Sequence, residues 1–162
     1  MKKILVSGTF DPPSVGHLSV IKKCLPIFDE VVVCIFINPD KKPTFSLEAR
    51  REMLLCMCGE YENVKIDSYN GMLVDYAREN GIYYIARGVR SANDFLYEKE
   101  MAEYNAKALN GLTTIFFASD EGEEEISSTL IRSEIQNGRD ISKLVAPSVL
   151  SIIEREIKRN QK

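Results

Sequence analysis

The sequence predicts an α/β fold, a parallel sheet of five strands with helices on both faces. Short apolar runs alternate with amphipathic segments along the chain, which is typical of βαβ units. The run Val31–Ile37 is apolar on both of its alternating faces, as expected for a strand covered on both sides. The chain has 162 residues, which is the length of about one domain. We therefore expect residues 1–162 to form a single Rossmann-like domain.

The predicted strands are the short runs of apolar and β-branched residues. In chain order they are Ile4–Val6, Val31–Ile37, Val64–Ile66, Tyr83–Ala86 and Thr113–Ala118. Each run is separated from the next by a segment long enough to hold a helix, so each strand can return parallel to the one before it.

The predicted helices carry apolar stripes and recognisable end signals. The first begins after Ser14, and Ser46 is a suitable N-cap for the second. Asn-Gly pairs after three later helices are typical helix stops. The helices after the first are Leu47–Cys58, Leu73–Glu79, Asn93–Leu109, Ser128–Gln136 and Pro147–Lys158.

Composition excludes several classes of protein. The formal net charge is −3, which argues against a protein that coats nucleic acid but not against a small anionic ligand. The longest strongly apolar run has seven residues, Val31–Ile37, against the ~20 needed to cross a bilayer. The continuous apolar stretch before Ser7 has only three residues, Ile4–Val6, too few for a signal peptide. The four cysteines lie in apolar contexts, so we expect reduced, buried thiols in a cytoplasmic protein.

Polar residues follow each predicted strand, where open parallel sheets bind ligands. These segments are 7–9, 38–41, 71–73, 87–90 and 119–128. After the first strand, Gly8 allows a sharp turn and Ser14 can cap the next helix, which places His17 in that helix's first turn. The N–H groups that begin a helix bind anions. An isolated histidine is more often structural, but its position at this strand end favours a functional role.

The run Gly8-Thr9-Phe10-Asp11-Pro12, followed by Gly16-His17, resembles the nucleotidyltransferase superfamily with the (His/Thr)-x-Gly-His motif. Ser14 occupies the first motif position here and keeps a hydroxyl. Four further blocks are similar to bacterial phosphopantetheine adenylyltransferases and make the resemblance more specific. They are Asn38–Arg50, Ala86–Arg90, Asp94–Glu98 and Ile126–Thr129.

This resemblance implies that an adenylyl group passes from ATP to 4′-phosphopantetheine, giving dephospho-coenzyme A and pyrophosphate in coenzyme A biosynthesis. The acceptor phosphate is already ionised, so direct in-line attack needs positioning and charge neutralisation rather than a covalent intermediate. One alternative is a related nucleotidyltransferase acting on nicotinamide mononucleotide or glycerol phosphate. Another is a nucleotide-binding sensor that has lost catalysis.

The resemblance also implies site residues. The catalytic residues would be His17, Lys41 and Arg90. The ATP-binding residues would be Gly8, Thr9, Phe10, His17, Gly88, Arg90, Glu98, Ser127, Ser128 and Thr129. The phosphopantetheine-binding residues would be Thr9, Lys41, Met72, Leu73, Arg87, Tyr104 and Asn105.

Within this set, Arg87 would hold the acceptor phosphate, Arg90 the β- and γ-phosphates, and Glu98 would face the ribose or adenine. Mg²⁺ is expected to arrive with ATP, without a dedicated protein metal site. The resemblance further implies a homohexamer and contact with coenzyme A or its dephospho form. The acidic segment Asp120–Glu125, next to the expected triphosphate site, is expected to be a solvated loop.

Overall fold

A computed structural model describes residues 1–160 and contains the expected parallel sheet. The strands are β1 (Lys3–Gly8), β2 (Glu30–Phe36), β3 (Val64–Tyr69), β4 (Tyr84–Val89) and β5 (Thr113–Ala118). Their order is β3-β2-β1-β4-β5, and all paired neighbours are parallel. The helices are α1 (Val15–Cys24), α2 (Leu47–Cys58), α3 (Leu73–Glu79), α4 (Ala92–Ala108), α5 (Ser128–Gln136) and α6 (Pro147–Asn160). The prediction of one domain extends to residues 161 and 162, which lie outside the described residues.

The predicted strand ends were wrong where the apolar pattern stops before the backbone pairing does. Gly8 still pairs with Ile35, and Val89 still pairs with Ala118, so β1 and β4 continue beyond their apolar runs. β3 likewise continues to Tyr69. An apolar sequence pattern indicates which side chains contact the core, whereas the extent of a strand is defined by backbone hydrogen bonds to its neighbours. The polar ends of these strands are the parts that reach the site.

The core lies on both faces of the sheet. In β2, the alternating residues Val31, Val33 and Ile35 belong to a large cluster built with α1, α2, α5 and α6. The intervening Val32 and Cys34 belong to a smaller cluster built with α3. Each fully buried Val or Ile side chain stabilises the fold by about 1.5–3 kcal/mol. The two clusters confirm the prediction of helices on both faces.

A crevice opens between the carboxyl ends of β1 and β4. The chain moves outward from β1 to β3 and then returns to the other side of β1, and this reversal is where open α/β sheets bind ligands. The β1–β4 ladder pairs only Leu5 with Ile85 and Val6 with Ala86. Beyond it, Arg87 Nη1 donates to the Ser7 carbonyl oxygen at 3.0 Å. Where β1 and β4 separate, this hydrogen bond from the Arg87 guanidinium thus takes the place of backbone pairing between the strands.

Asp11 fixes the turn between β1 and α1. Its buried carboxylate accepts the backbone N–H of Thr44 at 2.8 Å and of Phe45 at 2.9 Å. These bonds join the first turn of the site to the segment that leads into α2. The charge of Asp11 is therefore balanced by backbone donors rather than by solvent.

Two arginines hold the same turn from distant helices. Arg50 on α2 donates to the Thr9 carbonyl oxygen at 2.8 Å, and Arg132 on α5 donates to that of Asp11 at 2.7 Å. Ser128 Oγ donates to the Pro12 carbonyl oxygen at 2.8 Å. Two helices far apart in sequence, α2 and α5, thus set the direction in which α1 begins.

The cysteine prediction is correct for three thiols and wrong for one. Cys24, Cys34 and Cys58 are buried, whereas Cys56 is exposed, because positions two apart on a helix point to opposite sides. Burial raises the pKa of Cys24 and of Cys34 to about 12, which keeps these thiols protonated and unreactive. Within residues 1–160, every helix is too short or too polar to cross a lipid bilayer.

Replacing Asp11 with Asn should lower the free energy of unfolding by about 1–3 kcal/mol. The two carboxylate oxygens accept the N–H groups of Thr44 and Phe45, whereas an amide has one accepting oxygen and would lose one of these hydrogen bonds. Urea unfolding followed by circular dichroism measures this change. Asp40→Asn, at an exposed position nearby, is the matched control and should change stability little. An equal effect of both substitutions would contradict the role given to Asp11.

Candidate active site

The crevice between β1 and β4 contains a cavity of about 330 Å³. Its wall is formed by the carboxyl ends of both strands, the first turns of α1 and α5, and the loop after β5. The structure brings ten of the predicted site residues to this wall. They are Gly8, Thr9, Phe10, His17, Arg87, Gly88, Arg90, Glu98, Ser127 and Ser128.

The first turn of α1 fixes the orientation of His17. Ser14 is the N-cap, and its hydroxyl accepts the His17 N–H at 3.2 Å. In return His17 Nδ1 accepts the Ser14 N–H at 3.0 Å, completing a capping box. Because Nδ1 is an acceptor, the neutral ring carries its proton on Nε2. The free Nε2–H is then a donor at a cavity wall.

The surroundings keep the His17 imidazole neutral. Burial, followed by the positive charges of Arg87 and Arg90, lowers the pKa of His17 from 6.5 to about 4. The start of α1 acts in the same direction, because a helix N-terminus disfavours a cation. Near neutral pH the neutral ring can donate a hydrogen bond to an anion. It lacks the second proton that an imidazolium would need to act as a general acid.

Phe10 packs against the imidazole of His17. Its ring meets the His17 ring edge-on, with the centroids 4.9 Å apart. Phe10 has a φ of 47°, which costs about 1–2 kcal/mol in a residue with a side chain. Its nearly complete burial offsets that cost. The strained turn allows the chain to leave β1 and begin α1 within a few residues.

Arg87 is paired with Glu98, a contact that the sequence did not predict. Arg87 Nε and Nη2 donate to the two Glu98 carboxylate oxygens at 2.7 and 2.6 Å. The pair is therefore bidentate, with the Glu98 carboxylate buried and the Arg87 side chain 33% exposed. A second N–H on Nη2 remains for an anion. The predicted roles of Arg87 at the acceptor phosphate and Glu98 at the ribose or adenine stay predictions.

Arg90 is more accessible than Arg87. Asp94 accepts the Arg90 backbone N–H at 3.0 Å and lies 3.5 Å from the Arg90 Nε. Nη1 donates to the Ile126 carbonyl oxygen at 3.4 Å. These are long or single contacts, and 41% of the side chain is exposed. The guanidinium can therefore turn toward an incoming anion.

Gly88 allows α1 to approach the end of β4. A Cβ at Gly88 would lie 3.0 Å from Val20 Cγ2 on α1. That distance is tighter than an ordinary contact between carbon atoms, so a Cβ would push the Val20 side chain aside. Glycine at this position keeps the cavity narrow between the two elements.

The hydroxyls at the start of α5 already have partners. Ser127 Oγ accepts the Leu130 N–H at 3.0 Å, and Thr129 Oγ1 accepts from Arg132 at 3.2 Å. Both oxygens act as acceptors in these bonds, so their O–H groups remain free to donate to a ligand, whereas the Ser128 O–H is already donated to Pro12. Backbone N–H groups of the first helical turn are further donors, and the predicted phosphate contacts of Ser127, Ser128 and Thr129 stay predictions.

Lys41 lies in a neighbouring cavity of about 460 Å³. This second cavity shares Thr9 and Ser128 with the first and also contains Thr129. Its other cationic residues are Lys42, Arg50 and Arg132. Lys41 is exposed and reaches the site from the loop after β2, so its predicted position between two anionic reactants is compatible with the structure and stays a prediction.

A third cavity of about 160 Å³ shares Arg87 and Glu98 with the first. Leu73 and Asn105, both predicted to line the phosphopantetheine arm, contribute to its wall. The other two residues predicted for that arm, Met72 and Tyr104, are each 54% exposed and are not part of this wall.

The acidic segment after β5 is held in place at one end. Asp120 accepts from Ser19 Oγ at 2.6 Å and pairs with Lys23 Nζ at 2.7 Å, which lowers the pKa of its carboxyl. Farther along, Glu123 reaches the wall of the first cavity, where burial raises the pKa of its carboxyl. The expectation of a solvated loop is therefore correct for Asp120, which is exposed despite these contacts, and wrong in part for Glu123, which is half-buried.

The sequence did not predict the cavity residues whose hydrogen-bond partners lie far away along the chain. Arg50, Arg132 and Glu123 lie on or beside the cavities, but none forms a local pattern with the residues it contacts. Asp11 was visible as part of the first motif, although its bonds to residues 44 and 45 were not.

The fold and the anion-binding edge together define a nucleotidyltransferase, and the comparisons with known proteins agree. The cytidylyltransferase-like family model matches residues 5–134. A phosphopantetheine adenylyltransferase of Thermotoga neapolitana is 37% identical over 155 residues, covering 96% of both chains. One from Shouchella clausii is 37% identical over 159 residues, covering 98% of this chain and all of its own. The chain belongs to the phosphopantetheine adenylyltransferase family.

The His17 imidazole should titrate with a midpoint near pH 4 in the folded protein and near 6.5 in the urea-unfolded chain. Its carbon-bound protons in NMR spectra report this directly, because the chain has one histidine.

The unfolded chain then binds more protons between pH 6.5 and 4, so the contribution of His17 to stability falls as pH decreases through that window. His17→Asn is the control and should reduce this pH dependence. A folded-state midpoint at 6 or above would contradict the assignment of a neutral imidazole beside Arg87 and Arg90.

Proposed function

We propose that the chain joins ATP to 4′-phosphopantetheine, releasing pyrophosphate and forming dephospho-coenzyme A. The observation that carries this proposal is the placement of donors and cations from separate elements around one cavity. His17 Nε2–H, Arg90 and the first turn of α5 lie at its wall, and Arg87 joins it to the third cavity. Two anionic reactants can therefore meet at one place.

The nucleotide would occupy the first cavity. The start of α5 supplies backbone N–H groups for the triphosphate, and Arg90 can pair with two phosphate oxygens. His17 donates its Nε2–H to the α-phosphate, where negative charge increases in the transition state. Because the imidazole is already neutral and oriented by Ser14, it needs no rearrangement before it donates.

The acceptor would approach from the third cavity. Its arm contacts Leu73 and Asn105, and its phosphate reaches the remaining N–H of Arg87. Thr9 lines both the first and the second cavity, and Lys41, on the wall of the second, would extend toward the reactants from there. The acceptor phosphate oxygen attacks the α-phosphorus in line and pyrophosphate leaves. The protein forms no bond to either reactant and acts by positioning and charge neutralisation.

Mg²⁺ is proposed to enter as part of the ATP complex. Among residues 1–160, no group of three or more His, Cys, Asp or Glu side chains is arranged to hold a metal ion. The phosphate oxygens would supply most of the ligands, and the ion would neutralise charge on the leaving pyrophosphate. The four free thiols support a cytoplasmic location.

Pyrophosphate release with ATP and 4′-phosphopantetheine as the only substrates tests the proposal. Nicotinamide mononucleotide and glycerol phosphate, each offered in place of 4′-phosphopantetheine, are the matched controls and should release little. Release with one of those controls instead would favour the related enzyme class. Nucleotide binding without release in any mixture would favour a sensor.

His17→Ala should lower kcat by about 100-fold or more while changing the Kd for ATP only a few-fold, since the lost donor acts mainly on developing charge. Ser14→Ala is the comparison, because it removes the cap hydroxyl but keeps the imidazole and its backbone partner. Steady-state kinetics and calorimetry separate the two effects. Equal losses in turnover and affinity would show that His17 serves ground-state binding.

We further propose that the protein assembles as a homohexamer. Helix α4 leaves several large apolar side chains in solvent, including Leu96 at 58% and Tyr97 at 61% exposure. Of its residues, only Glu98 is buried. An apolar face of this kind on a single chain is typical of an interface.

Sedimentation should give a mass six times that of the 18.4 kDa chain. Leu96→Glu should shift the protein to smaller species, because it places a charge in the proposed contact. Leu55→Glu, an equally drastic change at another exposed apolar position, is the control. A wild-type monomer, or equal dissociation by both variants, would contradict the assignment of α4 to the interface.

A further inference from the structure

Glu98 is the point at which helix α4 meets the site. Of the residues of α4, Glu98 alone is buried, and each of its carboxylate oxygens accepts an N–H from Arg87 on β4. Charged side chains are almost never buried unless they are paired. Both oxygens of this carboxylate are therefore directed at one partner, the Arg87 guanidinium.

The Arg87 guanidinium is held from two sides before any ligand binds. Its Nε and Nη2 donate to Glu98, and its Nη1 donates to the Ser7 carbonyl oxygen on β1 at 3.0 Å. These contacts fix the plane of the guanidinium, although 33% of the side chain is exposed. A long side chain that is already held loses little conformational freedom when it binds an anion. The pairing thus prepares Arg87 for a ligand.

The pair lies on the wall of two cavities at once. Arg87 and Glu98 both line the first cavity, with His17, and the third cavity, with Leu73 and Asn105. The direction of the remaining N–H on Arg87 Nη2 therefore decides where an anion bound to it lies relative to the first cavity. The residue that fixes this direction is Glu98.

The Glu98 carboxylate has two opposite effects on an anion at Arg87. Its negative charge repels the anion, whereas its two hydrogen bonds orient the donor that the anion needs. Charge effects are weakened by water at a side chain that is one-third exposed. Orientation matters more in a reaction by in-line attack, since a misplacement of about 1 Å can lower the rate about 100-fold.

We propose that Glu98 is a positioning residue, which holds the Arg87 guanidinium in the direction that receives the phosphate of the acceptor. Its effect on the reaction passes through Arg87. The resemblance placed Glu98 at the ribose or adenine instead, so the two assignments differ in which substrate a Glu98 variant affects. The inference rests on the proposed function of the third cavity as the acceptor site.

Two substitutions separate orientation from charge. Glu98→Gln keeps the length of the side chain but removes its charge and replaces one accepting oxygen with an NH₂ group. Glu98→Asp keeps the charge but is too short by one methylene to hold both nitrogens of Arg87 in place. Each should lower kcat/KM for 4′-phosphopantetheine by about tenfold or more, measured by pyrophosphate release. The Kd for ATP, measured by calorimetry without the acceptor, should stay nearly unchanged.

Other roles of Glu98 give different results. If Glu98 acted only as a repulsive charge, Glu98→Gln would raise kcat/KM and Glu98→Asp would leave it unchanged, which would overturn the proposal. Weaker ATP binding with unchanged acceptor kinetics would overturn it in favour of contact with the nucleotide. Glu100→Gln is the matched control, since it removes a charge from an exposed position on the same helix and should change neither quantity.

A double substitution tests whether the effect passes through Arg87. A lysine cannot be held at two points by a carboxylate, so adding Glu98→Gln to Arg87→Lys should cost little more than Arg87→Lys alone. Losses that simply add would overturn the proposal, because residues that act as a unit are not additive.

Pantetheine, which lacks the phosphate, distinguishes positioning from damage to α4. It can occupy the acceptor arm's cavity without reaching Arg87, so its inhibition constant against 4′-phosphopantetheine should be the same in the wild type and in both Glu98 variants. A weaker inhibition by pantetheine in these variants would show that the wall formed by α4 has moved, and would overturn the positioning role.

NMR of ¹⁵N-labelled arginine side chains keeps this inference separate from the proposed function. The Arg87 Nε–H signal, identified by its absence in Arg87→Lys, should exchange slowly with water and shift when inorganic phosphate is added. Glu98→Gln should lose both properties. This result in a protein that releases no pyrophosphate with 4′-phosphopantetheine would contradict the proposed reaction and support the role of Glu98. Normal turnover in Glu98→Gln with an unchanged Arg87 signal would do the reverse.

Discussion

The site depends on one short hydrogen bond, from the Ser14 N–H to His17 Nδ1 at 3.0 Å. This bond occupies the acceptor nitrogen of the ring, so the proton of the neutral imidazole is left on the nitrogen that can face an anion. Burial and two nearby arginines then keep the ring neutral at ordinary pH. A charged imidazole would add attraction for phosphate, but it would lose the Ser14 bond and bring a third cation beside Arg87 and Arg90.

Hydrogen bonds from several parts of the fold hold the short turn between β1 and α1 in one conformation. The residues between β1 and α1 are held by Asp11 from within the turn, by Arg50 from α2 and by Arg132 from α5. Each contact joins segments that are far apart in sequence, so the fold must be complete before the turn is set. The strained Phe10 backbone persists because these surrounding bonds fix it. Stability and function are therefore coupled at this turn.

The two arginines of the site have carboxylate partners that hold them to different extents. Arg87 is held by a buried bidentate partner, Glu98, whereas Arg90 has one long contact to Asp94. A partly buried guanidinium without a partner would destabilise the fold, and Glu98 supplies that partner to Arg87 before any ligand arrives. The more accessible Arg90 keeps its freedom to follow a phosphate chain. The proposed roles of Arg87 at the acceptor and Arg90 at the nucleotide are compatible with this difference in their contacts.

The sheet, the helices and the strand-end segments were predictable because local patterns encode them. Helices α2, α3 and α5 and strand β5 have the predicted bounds, since capping residues and apolar runs mark their ends. The residues after β1 and β4 were predictable as functional because parallel strands present their carboxyl ends at one edge. The Arg87–Glu98 pair and the orphan oxygen of Glu123 were not, because they depend on how segments meet in three dimensions. Met72 and Tyr104 are exposed in the structure, and their predicted contact with the phosphopantetheine arm stays a prediction.

A ¹⁵N NMR spectrum of the single imidazole at pH 7, recorded with and without a non-hydrolysable ATP analogue, tests the central claim most directly. The account predicts a neutral ring with the proton on Nε2, and a shift of that N–H signal when the phosphates bind. A proton on Nδ1, or a doubly protonated ring in the complex, would contradict it.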